Sequence, residues 1–261
     1  MLLLTNVSRS LRIATLMGGM VVMGHAAHAD HLPGPGAANW TGFYLGLHGG
    51  YAWSEVSETS TNTNFWNAGG AVPLGTPFVS DTDGAIFGGQ IGYNHQVSNW
   101  VMGVEATYSG GGLRETGAIS PFFPTMDVYG AKISDIITVT GRLGYATGHS
   151  LVYVKGGYAS AEVETRHAFL PVLGVESLSS GRHDGWTLGA GVETKLSANW
   201  SLALDYSYIN LDDASRSAGI TFGGVVFSTI TSRVDPEDIH AVTVRINVRL
   251  DREEPVAAPL K

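Results

Sequence analysis

Cysteine is absent from the 261 residues, so neither a disulfide framework nor a thiolate metal centre is available to this chain. Charge is scarce as well: 15% of residues are ionisable Asp, Glu, Lys or Arg, and the formal net charge is -8. Binding nucleic-acid phosphates requires clustered Lys and Arg. Here the basic residues stand singly, as at Arg114, Lys132, Arg142 and Lys155, and past residue 29 only Arg245, Arg249 and Arg252 lie close together. A nucleic-acid partner is therefore excluded. Long hydrophobic runs are missing too. The apolar stretch from Ile13 to Gly24 falls short of the roughly 18 to 20 residues that a spanning helix needs. If the mature chain crosses a membrane, it must cross as strands, because only helices and closed barrels satisfy every backbone polar group in lipid. Catalytic signatures are absent in the same way: there is no Gly-Lys pair for a phosphate loop, no G-x-S-x-G and no H-E-x-x-H. The adjacent His149-Ser150 reads as a turn rather than a nucleophile and its base. The sequence therefore predicts no enzyme, no cofactor and no resident metal.

What is present is glycine, 35 of it, with 44% hydrophobic residues. The hydrophobic content is too high for a disordered polymer and there is no collagen period, so the glycines belong to ordered structure. The start of the chain carries Arg9 and Arg12, then the apolar stretch, then Ala27-His28-Ala29 before Asp30. That arrangement reads as a secretory signal over residues 1–29, cleaved after Ala29, in preference to an uncleaved anchor. Residues 30–39, rich in Pro and Gly, read as a flexible lead-in.

From Trp40 onward the apolar residues recur with period two, the mark of strands. Phe43, Leu45, Leu47, Gly49, Tyr51 and Trp53 share one face, and Tyr44, Gly46, His48, Gly50 and Ala52 the other. Seven further strands are predicted near residues 85–94, 100–109, 132–145, 151–161, 185–196, 200–211 and 239–250, each about 9 to 13 residues long, as a tilted membrane-crossing strand requires. Short connections at 96–99, 146–150 and 197–199 alternate with long polar ones at 55–84, 110–131, 162–184 and 212–237. This is how up-and-down barrels with periplasmic turns and outer loops are wired. The fold expected is all-β: an eight-stranded antiparallel up-and-down transmembrane β-barrel over residues 40–250, followed by a periplasmic tail at 251–261.

Sidedness follows from charge. Glu105, Arg142, Lys155, Glu193, Lys195, Asp205, Arg245 and Arg249 all fall on the face opposite the large apolar residues. A lipid-facing Arg or Lys at mid-membrane costs roughly 2 to 4 kcal/mol, so these groups are expected to face the lumen. An eight-stranded lumen is just wide enough for side chains to fill it, which favours a packed plug of paired charges over an ion pathway. Interior glycines such as Gly46, Gly88, Gly103, Gly157 and Gly189 would make room for the long side chains. Trp40, Trp53, Tyr93, Trp100, Tyr108, Tyr145, Tyr158, Trp186, Trp200 and Tyr208 are expected to form two aromatic girdles at the headgroup levels. His167 and His183 fall in the third long connection, where meeting would give them haem or metal chemistry and staying apart would leave them solvated.

The blocks W-T-G-F-Y-L-G-L-H-G-G-Y (residues 40–51), N-W-V-M-G-V-E-A (99–106), T-G-R-L-G-Y-A (140–146) and G-W-T-L-G-A-G-V-E (185–193) resemble the small OmpA-like outer-membrane β-barrel proteins, the porin-family or outer-membrane immunogenic proteins. The resemblance runs from about Trp40 to Leu250. It implies location in the outer membrane of a Gram-negative bacterium, surface-exposed antigenic loops and a role in envelope integrity; some relatives have been linked to haem binding or host contact. The partners implied are outer-membrane lipid and lipopolysaccharide, the barrel insertion machinery, and host or environmental ligands at the loops. A small-solute porin and a loop-based haem or ligand receptor are the alternatives. This chain departs from the family's usual aromatic end by continuing from Leu250 to Lys261.

Overall fold

The computed structural model describes residues 38–64, 73–115, 118–119, 127–169 and 175–250. The expected signal (1–29), nearly all of the lead-in and the tail at 251–261 lie outside them. Among the described residues there are twelve strands and no helix. They are β1 (Gly42–Ser60), β2 (Pro77–Val97), β3 (Trp100–Gly111), β4 (Leu113–Arg114), β5 (Ala118–Ile119), β6 (Asp127–Thr147), β7 (Ser150–Phe169), β8 (Val175–Lys195), β9 (Trp200–Leu211), β10 (Ala214–Phe222), β11 (Val225–Pro236) and β12 (Ile239–Arg249).

Every pairing is antiparallel. The chain of neighbours runs β1, β2, β3, β6, β7, β8, β9, β12 and back to β1, so eight strands close a ring. Closure removes the free edges that an open sheet would expose to other chains. One end is drawn tight by short turns after Val97, Thr147 and Lys195. Ser98 and Gly148 take the positive φ values, 56° and 58°, that such turns need.

At the other end the strands continue well past the predicted limits. β1 extends to Ser60, β2 begins at Pro77, and β7 and β8 stay in register from Ser150↔Thr194 to Phe169↔Val175. The last hairpin does the same in two pieces. β10 and β11 take over from β9 and β12, pairing with the upper parts of β8 and β1. At the two breaks the Asp212 amide still donates to the Asp184 carbonyl, 2.8 Å, and the Glu237 amide to the Glu55 carbonyl, 2.7 Å. The connections read as long polar loops are therefore mostly sheet, and the barrel carries a strand-built turret.

The turret was missed because its chemistry is inverted. In the lower half the outer face carries Leu47, Phe87, Val104, Val139, Val154, Leu188 and Val244, all exposed, and the inner face carries the buried charges. Above it the alternation continues, shifted by one residue on β6 where the register with β7 slips between Ser134 and Ile137, but the inner face is now Val56, Phe78, Leu113, Ile133, Ala161, Val163, Leu211 and Val234, a buried apolar cluster. The outer face there carries Glu55, Lys132, Glu162, Glu164, Arg166, Arg182 and Arg233. That is the layering of a barrel in water: greasy inside and polar outside. Upper-strand sequences such as Glu162-Val163-Glu164-Thr165-Arg166 look like solvated loop when the pattern sought is apolar side chains facing out.

Candidate functional site

Six of the eight predicted inner charges meet in one layer across the ring. Arg142 on β6 reaches Glu193 on β8, with Nη2 to Oε2 at 2.8 Å, and Lys155 on β7 reaches Asp205 on β9 at 2.7 Å. Arg245 on β12 bridges two carboxylates, Glu105 of β3 at 2.6 Å and Asp205 at 3.2 Å. Three cations and three carboxylates thus balance, and the side chain of each is at most 9% exposed. A buried ion is tolerable only when paired and hydrogen-bonded on its remaining lone pairs and protons.

Neutral side chains supply those bonds. The Tyr44 hydroxyl donates to Glu105 and accepts from Arg142, and the Tyr153 hydroxyl donates to Asp205. Ser201 and Asn247 donate to Glu193; Gln90 joins Asn247 to His48, and His48 pairs in turn with Ser109. The Arg142 guanidinium also lies 3.9 Å from the Tyr153 ring centroid, a desolvated cation–π contact. Each tyrosine can lean inward over the neighbouring strand because its ladder partner there is glycine. A Cβ at Gly92 would overlap the Tyr44 ring, and one at Gly191 the Tyr153 ring.

The other two inner charges belong elsewhere. Lys195 and Arg249 sit at the tight end and both donate to the carbonyl of Asn39. With Trp40 they close that mouth. Trp40 was expected in a girdle, but it turns inward, 5% exposed, against Val101, Ala146, Leu151 and Tyr153, with Lys195 Nζ 5.3 Å from its ring. The end of the lead-in is anchored with it, since the Ala38 amide donates to the Gly148 carbonyl. Trp40 precedes the first ladder residue, so its parity gave no guide to its direction. Between this mouth and the charged layer lies a cavity of about 20 Å³, room for about one water.

The remaining girdle residues lie on the outer face in two tiers. Phe43 packs on Tyr93 and Trp100 on Tyr145 at the tight end, with Trp200 beside them, about half exposed. Tyr108, Tyr158, Trp186, Tyr208 and Trp53 form the upper tier, where Trp186 lies against Tyr208 and Trp53 stacks on His240.

The two candidate ligand histidines do not meet. His167 pairs in register with Ser177 and His183 with Ala161, six residues apart along β8, or about 20 Å. Both point into the turret and each is engaged. His167 Nε2 is 3.1 Å from Glu58, whose other oxygen accepts from Ser232, and His183 Nδ1 is 2.8 Å from the Asp212 carbonyl. They were placed in a loop; the sheet that runs through that region separates them. Burial by itself would raise the Glu58 carboxyl, but the charge and hydrogen bond of His167, with bonds from Ser232 and Thr165, hold it below the usual glutamate value. Sequence parity could have found this pair only by following β1 and β7 beyond the limits assigned to them.

A closed ring of antiparallel strands, apolar outside and charged inside between two aromatic tiers, defines a transmembrane β-barrel. Residues 13–234 match the family described as outer membrane protein beta-barrel domain, and the chain belongs to that family. It is an outer-membrane β-barrel protein of the Gram-negative envelope. It is 33% identical over 178 residues to the 31 kDa outer-membrane immunogenic protein of Brucella melitensis, covering 66% of this chain and 72% of the relative. It is 32% identical over 202 residues to the 22 kDa outer membrane protein of Rhizobium leguminosarum bv. viciae, covering 73% and 77%. Among solved structures the fold is similar to the outer membrane protease OmpT of Escherichia coli, at TM-score 0.53 and 9% identity over 84% of this chain and 99% of that one. It is also similar to OprG of Pseudomonas aeruginosa, at TM-score 0.50 and 12% identity over 84% and 99%.

Proposed function

We propose that this protein is a non-conducting, non-enzymatic envelope scaffold whose barrel anchors a rigid extracellular turret for contact with the surroundings. The observation that carries this reading is the neutral layer of Glu105, Arg142, Lys155, Glu193, Asp205 and Arg245, in which each charge has an opposite partner within 3.2 Å. A permeant ion would have to break those pairs in a space where little water can replace them. The buried mouth at Trp40, Lys195 and Arg249 gives a second barrier. Reconstitution into planar bilayers tests the reading: traces without steady steps support the scaffold, and a sustained ohmic conductance makes the protein a small-solute porin instead.

The partners that fit this reading are lipid and lipopolysaccharide around the apolar band, the barrel insertion machinery during assembly, and host or environmental molecules at the turret. Envelope integrity is the matching cellular role, testable as increased detergent and antibiotic sensitivity on deletion. The relatives named as immunogenic proteins support surface exposure. The likeness to the protease is one of fold and brings no activity here.

A further inference from the structure

A single structural unit recurs in all four hairpins. On the rising strand a tyrosine stands on the outer face; on the falling strand an aspartate stands on the same face, two residues above the tyrosine's ladder partner. Tyr51 pairs with Ala85 and bonds Asp83; Tyr108 pairs with Ile137 and bonds Asp135, 2.5 Å. Tyr158 pairs with Trp186 and bonds Asp184, 2.5 Å; Tyr208 pairs with His240 and bonds Asp238. The hydroxyl donates in each case. In the second hairpin the unit is kept by a bulge on β6: its register with β7 slips between Ser134 and Ile137, and Asp135 takes φ 50°, a value aspartate tolerates better than most residues.

The height of this ring coincides with two other boundaries. Below it the outer face of the strands is apolar or uncharged down to the lower aromatic tier, through Leu45, Leu47, Phe87, Ile91, Val104, Val139, Leu188, Val192, Leu204 and Val244. The four aspartates are the first outward charges met on the falling strands, and Lys132, Arg182 and Asp81 follow above. Inside the ring, the polar lumen ends and the apolar core of the turret begins at Ala52, Ile86, Ala159, Ile209 and Ala241. From Trp100 to Tyr108, or Trp200 to Tyr208, the intervening span is eight residues. That is about 26 Å along a strand and about 20 Å once tilted, close to the apolar height of an outer-membrane barrel.

We infer that the four tyrosine–aspartate units are a depth stop, the surface on which the barrel meets the polar headgroup layer of the outer leaflet. The tyrosine ring lies at the top of the hydrocarbon, and its hydroxyl holds a carboxylate at the first level where water and headgroups can solvate it. Drawing the barrel deeper would bury four carboxylates together; letting it rise would expose the apolar band. Four units at equal height also resist tilt, since any lean submerges one side of the ring. The occupant is the headgroup layer, because the surface changes from uncharged to charged at this one level on every hairpin.

Because the chain has no native cysteine, single cysteines with an environment-sensitive fluorophore read depth directly. Labels are placed at Asp81, Ser180, Leu188 and Val104 of the full-length protein in vesicles, with brominated lipid and an aqueous ion as opposing quenchers. The expected result is that the labels at 81 and 180 respond to the aqueous quencher and those at 104 and 188 to the lipid. Labels at 81 and 180 should cross over to lipid quenching when D83L, D135L, D184L and D238L are combined. Unchanged quenching in the combined variant overturns the depth stop. If that variant does not fold, the four labels of the parent decide: lipid quenching at 81 or 180, or aqueous quenching at 104 or 188, refutes the inference. Neither readout depends on whether the lumen conducts.

Discussion

Arg142 and Glu193 show how strongly a single side chain is held in the lower half. Each is nearly solvent-free; Arg142 also donates to Tyr44, and Glu193 also accepts from Ser201 and Asn247. Removing one partner strands the other charge, a loss of roughly 3 to 5 kcal/mol. R142M should therefore lower the urea midpoint for loss of the folded electrophoretic form by far more than the combined R142M with E193M, which leaves no orphan charge. A larger loss in the double variant would mean that the pair itself, rather than the avoidance of an unpaired ion, stabilises the barrel. Glu58 makes the corresponding prediction for pH. Its folded value is depressed, so the stability it contributes is complete above the unfolded glutamate value of about 4.3 and is lost as pH falls through the lower folded value. Turret unfolding, followed by fluorescence of a probe near Ser232, should steepen with acidification in this window, and E58Q should flatten the dependence.

At the scale of elements, the turret strands make a prediction that loops would not. Arg166, Arg182, Arg216 and Arg233 lie within paired strands β7, β8, β10 and β11. Proteases need an extended, locally detached substrate, so trypsin added to intact cells should leave these four bonds uncut. Rapid cleavage at Arg166 or Arg182 would restore the loop description. The lower halves of the strands were legible in the sequence because apolar residues outward and charges inward form one unbroken period of two. Trp40 and the upper strands were not. Trp40 stands before the ladder that would fix its side, and in the turret the alternation continues, shifted by one residue on β6, while its polarity changes sign. His167 and His183 were misjudged for the same reason, since a residue assigned to a loop has no inside. The tyrosines of the upper tier were visible singly; their pairing with aspartates was not, because Asp83 and Asp184 fall in stretches taken as loop and Asp135 sits at a bulge that interrupts the period of two on a predicted strand.

At the scale of the whole molecule, closure is the feature on which resistance to denaturant rests. The β1 to β12 seam runs from Tyr44↔Arg249 to Trp53↔His240. Near its lower end Gly46 faces Asn247, and a side chain there would overlap both the Asn247 amide and the Ile246 carbonyl. Unheated protein from purified outer membranes should run as a compact band in detergent electrophoresis and convert to a slower band on boiling. G46V should lose the compact band, whereas L204A, on the open outer face, should keep it. Equal behaviour of the two variants would show that the ring is not sealed at this seam.

The turret has an immunological corollary. An antibody or receptor approaching its wall reads alternate residues from several neighbouring hairpins at once, such as Lys132 on β6, Glu164 on β7 and Arg182 on β8. No contiguous peptide reproduces that mosaic. Sera raised against linear fragments of residues 159–184 should fail to stain living cells, and recognition should depend on the folded wall.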